Sequence, residues 1–317
     1  MRRYVLRRLA QAVAVLWAAY TVSFLVLDLL PGDPVSAMAG GGLDQAPLDP
    51  AVLARMRHEY GFDQPVWLQY LEYLGRAARG DFGHSVATGR PVTTVIAEAL
   101  PPTLALTAAA LLLAVVFGAG LASYATYTPR RWLRQALLSL PGLGVSLPTF
   151  WVGLILVQLL SFRLRLLPAF GNDGLRGLVL PALTLAVPTS ALIAQVLAKS
   201  LLTALDEPYV ETARAKGAGP ARIHLRHALR NAALPALTVV GLVVGNLLAG
   251  SVVVESVFSR NGLGRATVNA VTVQDIPLVQ GVVVFGAAAF VLVNLAVDLI
   301  YPLLDPRIVA AGRRSPA

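Results

Sequence analysis

The chain has 317 residues, of which 56% are hydrophobic and only 14% charged, an apolar excess that a soluble domain of this size could not hide in its core. Its net charge of +9 comes without basic runs interleaved with aromatics, which argues against nucleic-acid binding and for a bias that orients a membrane chain. With no cysteine there can be no disulfide, thiolate metal site or cysteine nucleophile, and the four histidines (His58, His84, His224, His227) lack HExxH spacing, so no metal site is expected.

Six runs of at least eighteen residues contain no Asp, Glu, Lys or Arg: 9–27, 99–129, 135–162, 177–198, 231–254 and 276–297. A helix needs about 20 apolar residues to cross the hydrocarbon core, so each run can span once. The predicted helices are 9–30, 102–126, 136–160, 178–199, 234–257 and 279–303, which makes the fold an all-α integral membrane protein with six transmembrane helices.

In chain order, residues 1–30 form an N-terminal tip and first span. Arg2, Arg3, Arg7 and Arg8 before an apolar run, with Ala37-Met38-Ala39 beyond it, also fit a cleaved signal peptide. The run is longer than an ordinary signal core and Asp28 to Pro34 intervenes, which favours a retained helix. Residues 31–101 form a polar loop subdomain with helical spacing over 50–60 and 66–79 and a flexible break at Gly40-Gly41-Gly42. Residues 102–304 hold a five-helix core with a polar loop at 200–233, and 305–317 is a tail.

Lys/Arg asymmetry sets the orientation. With the N-terminus inside, the inner segments 1–8, 127–135, 199–233 and 304–317 carry 4, 3, 6 and 3 basic residues, 16 in all. The outer segments 31–101, 161–177 and 258–278 carry 5, 3 and 2, or 10, half of them in one long loop whose charge counts for little. Both termini are therefore expected in the cytoplasm of a cell-membrane protein, although Arg163, Arg165 and Arg176 face outward against the rule.

Pro141, Pro148, Pro181 and Pro188 should kink the third and fourth spans, and irregular backbone at membrane depth persists only against protein or a water-filled cavity. Pro148, Phe150 and Gln195 are thus candidates to line a pathway, the alternative being that the kinks shape packing and Gln195 bonds a neighbouring helix. Gly241, Gly245 and Gly250 permit close approach of another helix. Asp298, near the inner end of the last span, calls for a basic partner more than a proton relay. Glu255 admits two readings, a group at the outer mouth or a buried hydrogen bond ordering the loop.

The loop after the fourth span is the most informative stretch. Asp206 is a candidate N-cap, Pro208 sits in the first turn and Gly217 to Gly219 is a stop, predicting a helix over 208–216. A second, basic helix should start at Pro220, run through Arg222, His224, Arg226, His227 and Arg230, and end before Pro235. The two would make an elbow able to seat in a groove of another protein and transmit a rigid push.

Glu211-Thr212-Ala213 followed by Gly217 resembles the Glu-Ala-Ala, three residues, Gly pattern in the cytoplasmic loop of ABC importer membrane subunits. Leu234-Pro235 falls later than that pattern expects, so only its first half is in register. Thr212-Ala213-Arg214-Ala215-Lys216-Gly217 with His227 to Asn231 is similar to the dipeptide/oligopeptide/nickel branch. So are Arg7-Arg8-Leu9, Pro31-Gly32-Asp33-Pro34, Tyr60 to Pro65, Gly80-Asp81-Phe82-Gly83-His84-Ser85, Pro148 to Trp151, Gly250 to Phe258, Gly262 to Arg265, Val293 to Tyr301 and Leu304 to Arg307. Lys199-Ser200 departs from the expected Arg-Ser.

This resemblance implies a type I ABC importer (MetI-like) permease, the B-type membrane subunit of a peptide importer. It implies a coupling role for Tyr209, Glu211, Thr212, Ala213, Arg214, Ala215, Lys216 and Gly217, and an outer-gate or binding-protein contact for Glu255, Phe258 and Arg265. The implied partners are a second homologous permease, two ABC ATPase subunits and an extracytoplasmic solute-binding protein, all in membrane lipid. No GxxxxGK[ST] occurs, so ATP and magnesium would be handled by partner subunits and this chain would hold no cofactor and be no enzyme. An intramembrane protease would need a serine–base or paired-aspartate constellation, and an ion-driven transporter repeat-related broken helices; neither is recognisable. Dipeptides, longer peptides, glutathione, nickel chelates and haem-related ligands all fall within the implied cargo.

Overall fold

A computed structural model describes residues 2–29, 51, 54–55, 63–172 and 174–304. The break at Gly40 to Gly42, the Ala37 to Ala39 stretch and the tail 305–317 lie outside the described residues, as does nearly all of the helix expected over 50–60. The side chains of Asp28, Asn294 and Asp298 also lie outside them.

The helices run in the order α1 (Arg2–Asp28), α2 (Val66–Ala77), α3 (Val92–Tyr127), α4 (Arg131–Ser146), α5 (Thr149–Leu156), α6 (Gly174–Leu205), α7 (Pro208–Ala215), α8 (Pro220–Arg222), α9 (Leu229–Val257), α10 (Leu263–Thr272) and α11 (Ile276–Leu304). Wider π-helical turns continue α5 through Val157–Arg163 and join α8 to α9 through Ile223–Ala228. Among the described residues, stretches of α1, α3, α6, α8–α9 and α11 are long and apolar enough to cross a membrane. The pair α4 and α5 brings the crossings to six when counted as one span.

In that pair the third span, expected over 136–160 with kinks at Pro141 and Pro148, breaks sharply, its two halves meeting at 104°. The break falls where the chain meets Pro148: Leu147 is extended (ψ 128°), as the residue before a proline is driven to be, and Pro148 opens α5. Pro141 lies inside α4, and Pro181 and Pro188 inside a single α6, so Pro148 alone marks this sharp break. Helix α10 was not anticipated; its Val, Thr and Asn are weak helix formers, and flanking glycines read as loop.

The chain divides into two compact units. One comprises 1–101 with 261–291, the other 102–260 with 292–317. In the first, Val92 and Ile96 of α3 pack with Leu27, Ala270 of α10 and Ile276, Leu278, Val279 and Val282 of α11. Asp275, fully buried, fixes this arrangement. Its Oδ1 accepts from the Leu278 amide (3.2 Å), capping α11, while Oδ2 accepts from Ser85 Oγ (2.5 Å) and the Ala87 amide (3.3 Å). In the second unit α6 packs against α4, α5 and α9, and Gly250 of α9 faces Leu185 of α6, where a Cβ would lie 3.2 Å from Leu185 Cδ2.

Candidate functional site

The elbow at 206–230 is built as two short pieces on a buried footing. Helix α7 begins with Pro208 in its first turn; Glu207, not Asp206, takes the N-cap position and makes no side-chain cap bond. The helix ends in a paired C-cap, in which the Ala218 amide donates to Ala213 O (3.0 Å) and the Gly217 amide to Arg214 O (2.9 Å). This closure requires Gly217 at φ +82°, a left-handed conformation that a side chain disfavours.

Val210 anchors α7 at 1% exposure, whereas Glu211, Thr212, Arg214, Ala215, Lys216 and Gly217 are exposed and Ala213 half-buried. Tyr209 is half-buried, with its hydroxyl enclosed and without a hydrogen-bond partner among the described residues, beside a cavity of about 380 Å³ that Lys199, Glu207 and Asn231 also line. The expected second helix differs from the sequence reading. It does not end before Pro235 but runs through Ile223–Ala228 into α9, carrying Pro235 inside. The second piece of the elbow is therefore the continuation of a long apolar helix.

His224 joins the elbow to the end of α3. Its Nε2 lies 2.9 Å from Thr126 Oγ1, and its ring packs edge-on to Tyr127 with centroids 5.6 Å apart. The Thr126 hydroxyl also lies 2.8 Å from Ala122 O, so the tautomer of His224 sets which atom of the His224–Thr126 pair donates. A cavity of about 630 Å³ beside this contact is bordered by Leu205, Arg214 and Ala218.

The remaining candidates are dispersed. Pro148, Phe150 and Gln195 are exposed, on α5 and its bend and on α6. Glu255 is 1% exposed and accepts from Thr103 Oγ1 at 2.6 Å, so of its two readings the geometry is that of the buried hydrogen bond. Phe258 is buried in the core with Leu180, Leu185 and Val254, and its carbonyl accepts from the Gly171 amide. Arg265 is half-buried on α10, 3.3 Å from Asn261 Oδ1.

Sequence reasoning passed over Arg260. It is buried and donates through Nη1 to Gly171 O (3.1 Å) and Gly177 O (2.9 Å), pinning the turn before α6 to the end of α9. Burial pushes its guanidinium below the ordinary value, and the nearby Glu255 opposes the shift. Among the described residues no group of three or more His, Cys, Asp or Glu could hold a metal.

Residues 114–310 match the family described as the binding-protein-dependent transport system inner membrane component, and residues 1–107 match its N-terminal counterpart. The chain belongs to that family. The permease is 37% identical over 308 residues to the glutathione transport system permease protein GsiC of Escherichia coli K12, covering 97% of this chain and 99% of the relative. It is 38% identical over the same length to the protein of that name from Salmonella choleraesuis. A chain of the MetNI methionine ABC transporter in an inward-facing conformation superposes with a TM-score of 0.58 at 18% identity, over 66% of the permease and 96% of that chain. An amino acid ABC transporter chain gives 0.51 at 20% identity, over 68% and 94%. The permease is therefore a multi-pass membrane subunit of an ABC importer, with the type I fold, and not an enzyme.

Proposed function

We propose that the permease imports short peptides of the glutathione and dipeptide class, and that α7 with its capped turn is the element through which separate ATPase subunits drive it. The exposed row Glu211, Thr212, Arg214, Ala215 and Lys216, held rigid by buried Val210 and the Gly217 cap, carries this reading. A rigid projection that continues into the spanning helix α9, and is bonded to α3 through His224 and Thr126, passes a push to two spans without absorbing it. The cargo class is supported by the relatives named as glutathione permeases, which align with this chain nearly end to end.

In this reading both termini and the elbow are cytoplasmic, residues 31–101 lie outside, and 102–304 form the core that moves. A second homologous permease completes the passage, with the exposed Pro148, Phe150 and Gln195 facing it. Two ATPases hold ATP and magnesium, and a solute-binding protein delivers cargo near Arg265. Closure on ATP favours one access state through contacts that differ between the two states.

Co-purification of the assembled transporter tests the coupling element, comparing wild type with Gly217→Asp. Retention of the second permease with loss of the ATPases, or with uptake uncoupled from hydrolysis, is the expected result. Wild-type behaviour of Gly217→Asp would overturn it. Uptake of labelled glutathione and alanyl-alanine into vesicles bearing the wild-type complex tests the cargo.

A further inference from the structure

The segment Gly80-Asp81-Phe82-Gly83-His84-Ser85 has no part in the coupling elbow, yet it walls a cavity of about 380 Å³ within the first compact unit. Arg76, Asp81, His84, Tyr73, Tyr20 and Gln280 contribute its polar groups, and Phe82 with Ile276 and Pro277 its apolar ones.

The hydrogen bonding around this cavity leaves donors over on Gln280 and Arg76, while the Arg76 Nε is held by Asp81. Asp81 Oδ2 accepts from Arg76 Nε at 3.0 Å, and Oδ1 from the Gly83 amide at 2.9 Å. Those two donors hold the carboxyl below its ordinary value, keeping it ionised and occupied. The same contact leaves the Arg76 Nη atoms beside Gly83, where Nη2 would lie 3.3 Å from a Cβ on that glycine.

Gln280 is 5% exposed. Tyr20 Oη donates to its Oε1 at 3.4 Å, which turns the amide so that Nε2 is enclosed with no hydrogen-bond partner among the described residues. A buried amide donor without an acceptor is destabilising, and a bound acceptor removes that cost. Tyr73 stays protonated, its hydroxyl pushed up to about 12 by burial.

We infer that this cavity binds the carboxylate group of a peptide-sized solute, with Gln280 Nε2 and the Arg76 Nη atoms as donors and the rings of Tyr20, Tyr73 and Phe82 as walls. The volume suits an amino-acid or dipeptide moiety. The site is distinct from the passage attributed to Pro148, Phe150 and Gln195. It rests on the peptide reading above for the identity of the solute and on the proposed orientation for its outward position. An anionic oxygen could also come from a lipid phosphate, which satisfies the same donors.

The test uses the assembled transporter in nanodiscs without its solute-binding protein, and equilibrium dialysis of labelled alanyl-alanine. Wild type should bind the dipeptide and bind its C-terminal amide about tenfold or more weakly, the loss of one charge-assisted hydrogen bond. Gln280→Leu and the more exposed Arg76→Gln should each weaken binding by a similar factor while basal ATPase activity is unchanged, which shows that the complex is folded. Equal binding of dipeptide and amide, no binding, or binding unmoved by both variants would overturn the site. Displacement of the dipeptide by phosphatidylglycerol, but not by acetate, would assign the donors to a lipid phosphate and overturn the peptide assignment. Vesicle uptake separates the two readings. A complex that transports dipeptide while both variants bind normally loses this site and keeps its cargo. One that binds carboxylate here yet transports no peptide loses the cargo reading alone.

Discussion

Thr103 and Glu255, 152 residues apart, meet through a 2.6 Å hydrogen bond between side chains that are 2% and 1% exposed. A buried carboxylate deprived of a donor loses about 1–3 kcal/mol. Thr103→Val keeps the shape and removes the hydroxyl, so it should lower the midpoint of thermal unfolding of the purified permease, whereas Thr103→Ser should stay close to wild type. Equal midpoints for the two variants would show that the bond contributes nothing.

Asp275 serves two structures at once, the first turn of α11 and the loop at Ser85 and Ala87. Asp275→Ala should destabilise by about 1–3 kcal/mol, through the lost cap and the buried Ser85 hydroxyl left without this acceptor. Ser85→Ala alone should cost less. In the double mutant the two losses should fall short of additivity, because the Ser85 bond is already gone in Asp275→Ala. Denaturant unfolding of the four proteins measures the coupling, and strict additivity would contradict a shared bond.

The spans were legible because charge-free runs of this length have little use outside a bilayer, and α7 because Pro208 and Gly217 punctuate it. The break at Pro148 could have been read from the backbone restriction that a proline imposes on its predecessor, Leu147, but four prolines in two spans masked which one would act. The continuity of α8 into α9 was hidden by Pro235, which normally ends a helix and here sits inside one. The bonds from Thr103 to Glu255 and Ser85 to Asp275 could not be read locally, since they join residues 152 and 190 positions apart and no periodicity links them. Arg260 escaped for a related reason: its partners are backbone carbonyls, which any sequence could supply.

Gly281 sits where α11 meets the start of α3, and a Cβ there would lie 2.4 Å from Val92 Cγ1 and 3.3 Å from Ile96 Cδ1. Gly281→Ala should therefore destabilise by about 1–3 kcal/mol through overpacking, despite the better helix propensity of alanine. Val92→Ala in the same chain makes room and should recover part of the loss. Thermal midpoints of the three variants check this, and an additive double mutant would place the strain elsewhere.

The Asp81 carboxyl supplies the pH dependence of the 81–91 loop. Its folded value is depressed below the ordinary 3.8 by the Gly83 amide first and the Arg76 side chain second. A depressed acid stabilises the folded arrangement at pH above its unfolded value and loses that contribution as pH falls through the folded one. The contacts should thus be intact at neutral pH, begin to weaken below about 4 and be lost only at stronger acidity. The carboxylate is largely exposed, so the effect is local and not a global unfolding. The Gly83 amide reports it directly, since protonation of Asp81 removes the acceptor of its hydrogen bond. Hydrogen exchange at Gly83, corrected for the intrinsic rate, should lose protection on acidification in wild type. It should be lower and independent of pH in Asp81→Asn, whose amide oxygen is a weaker acceptor that does not titrate. Protection that stays constant with pH in wild type would remove Asp81 as the group holding this loop.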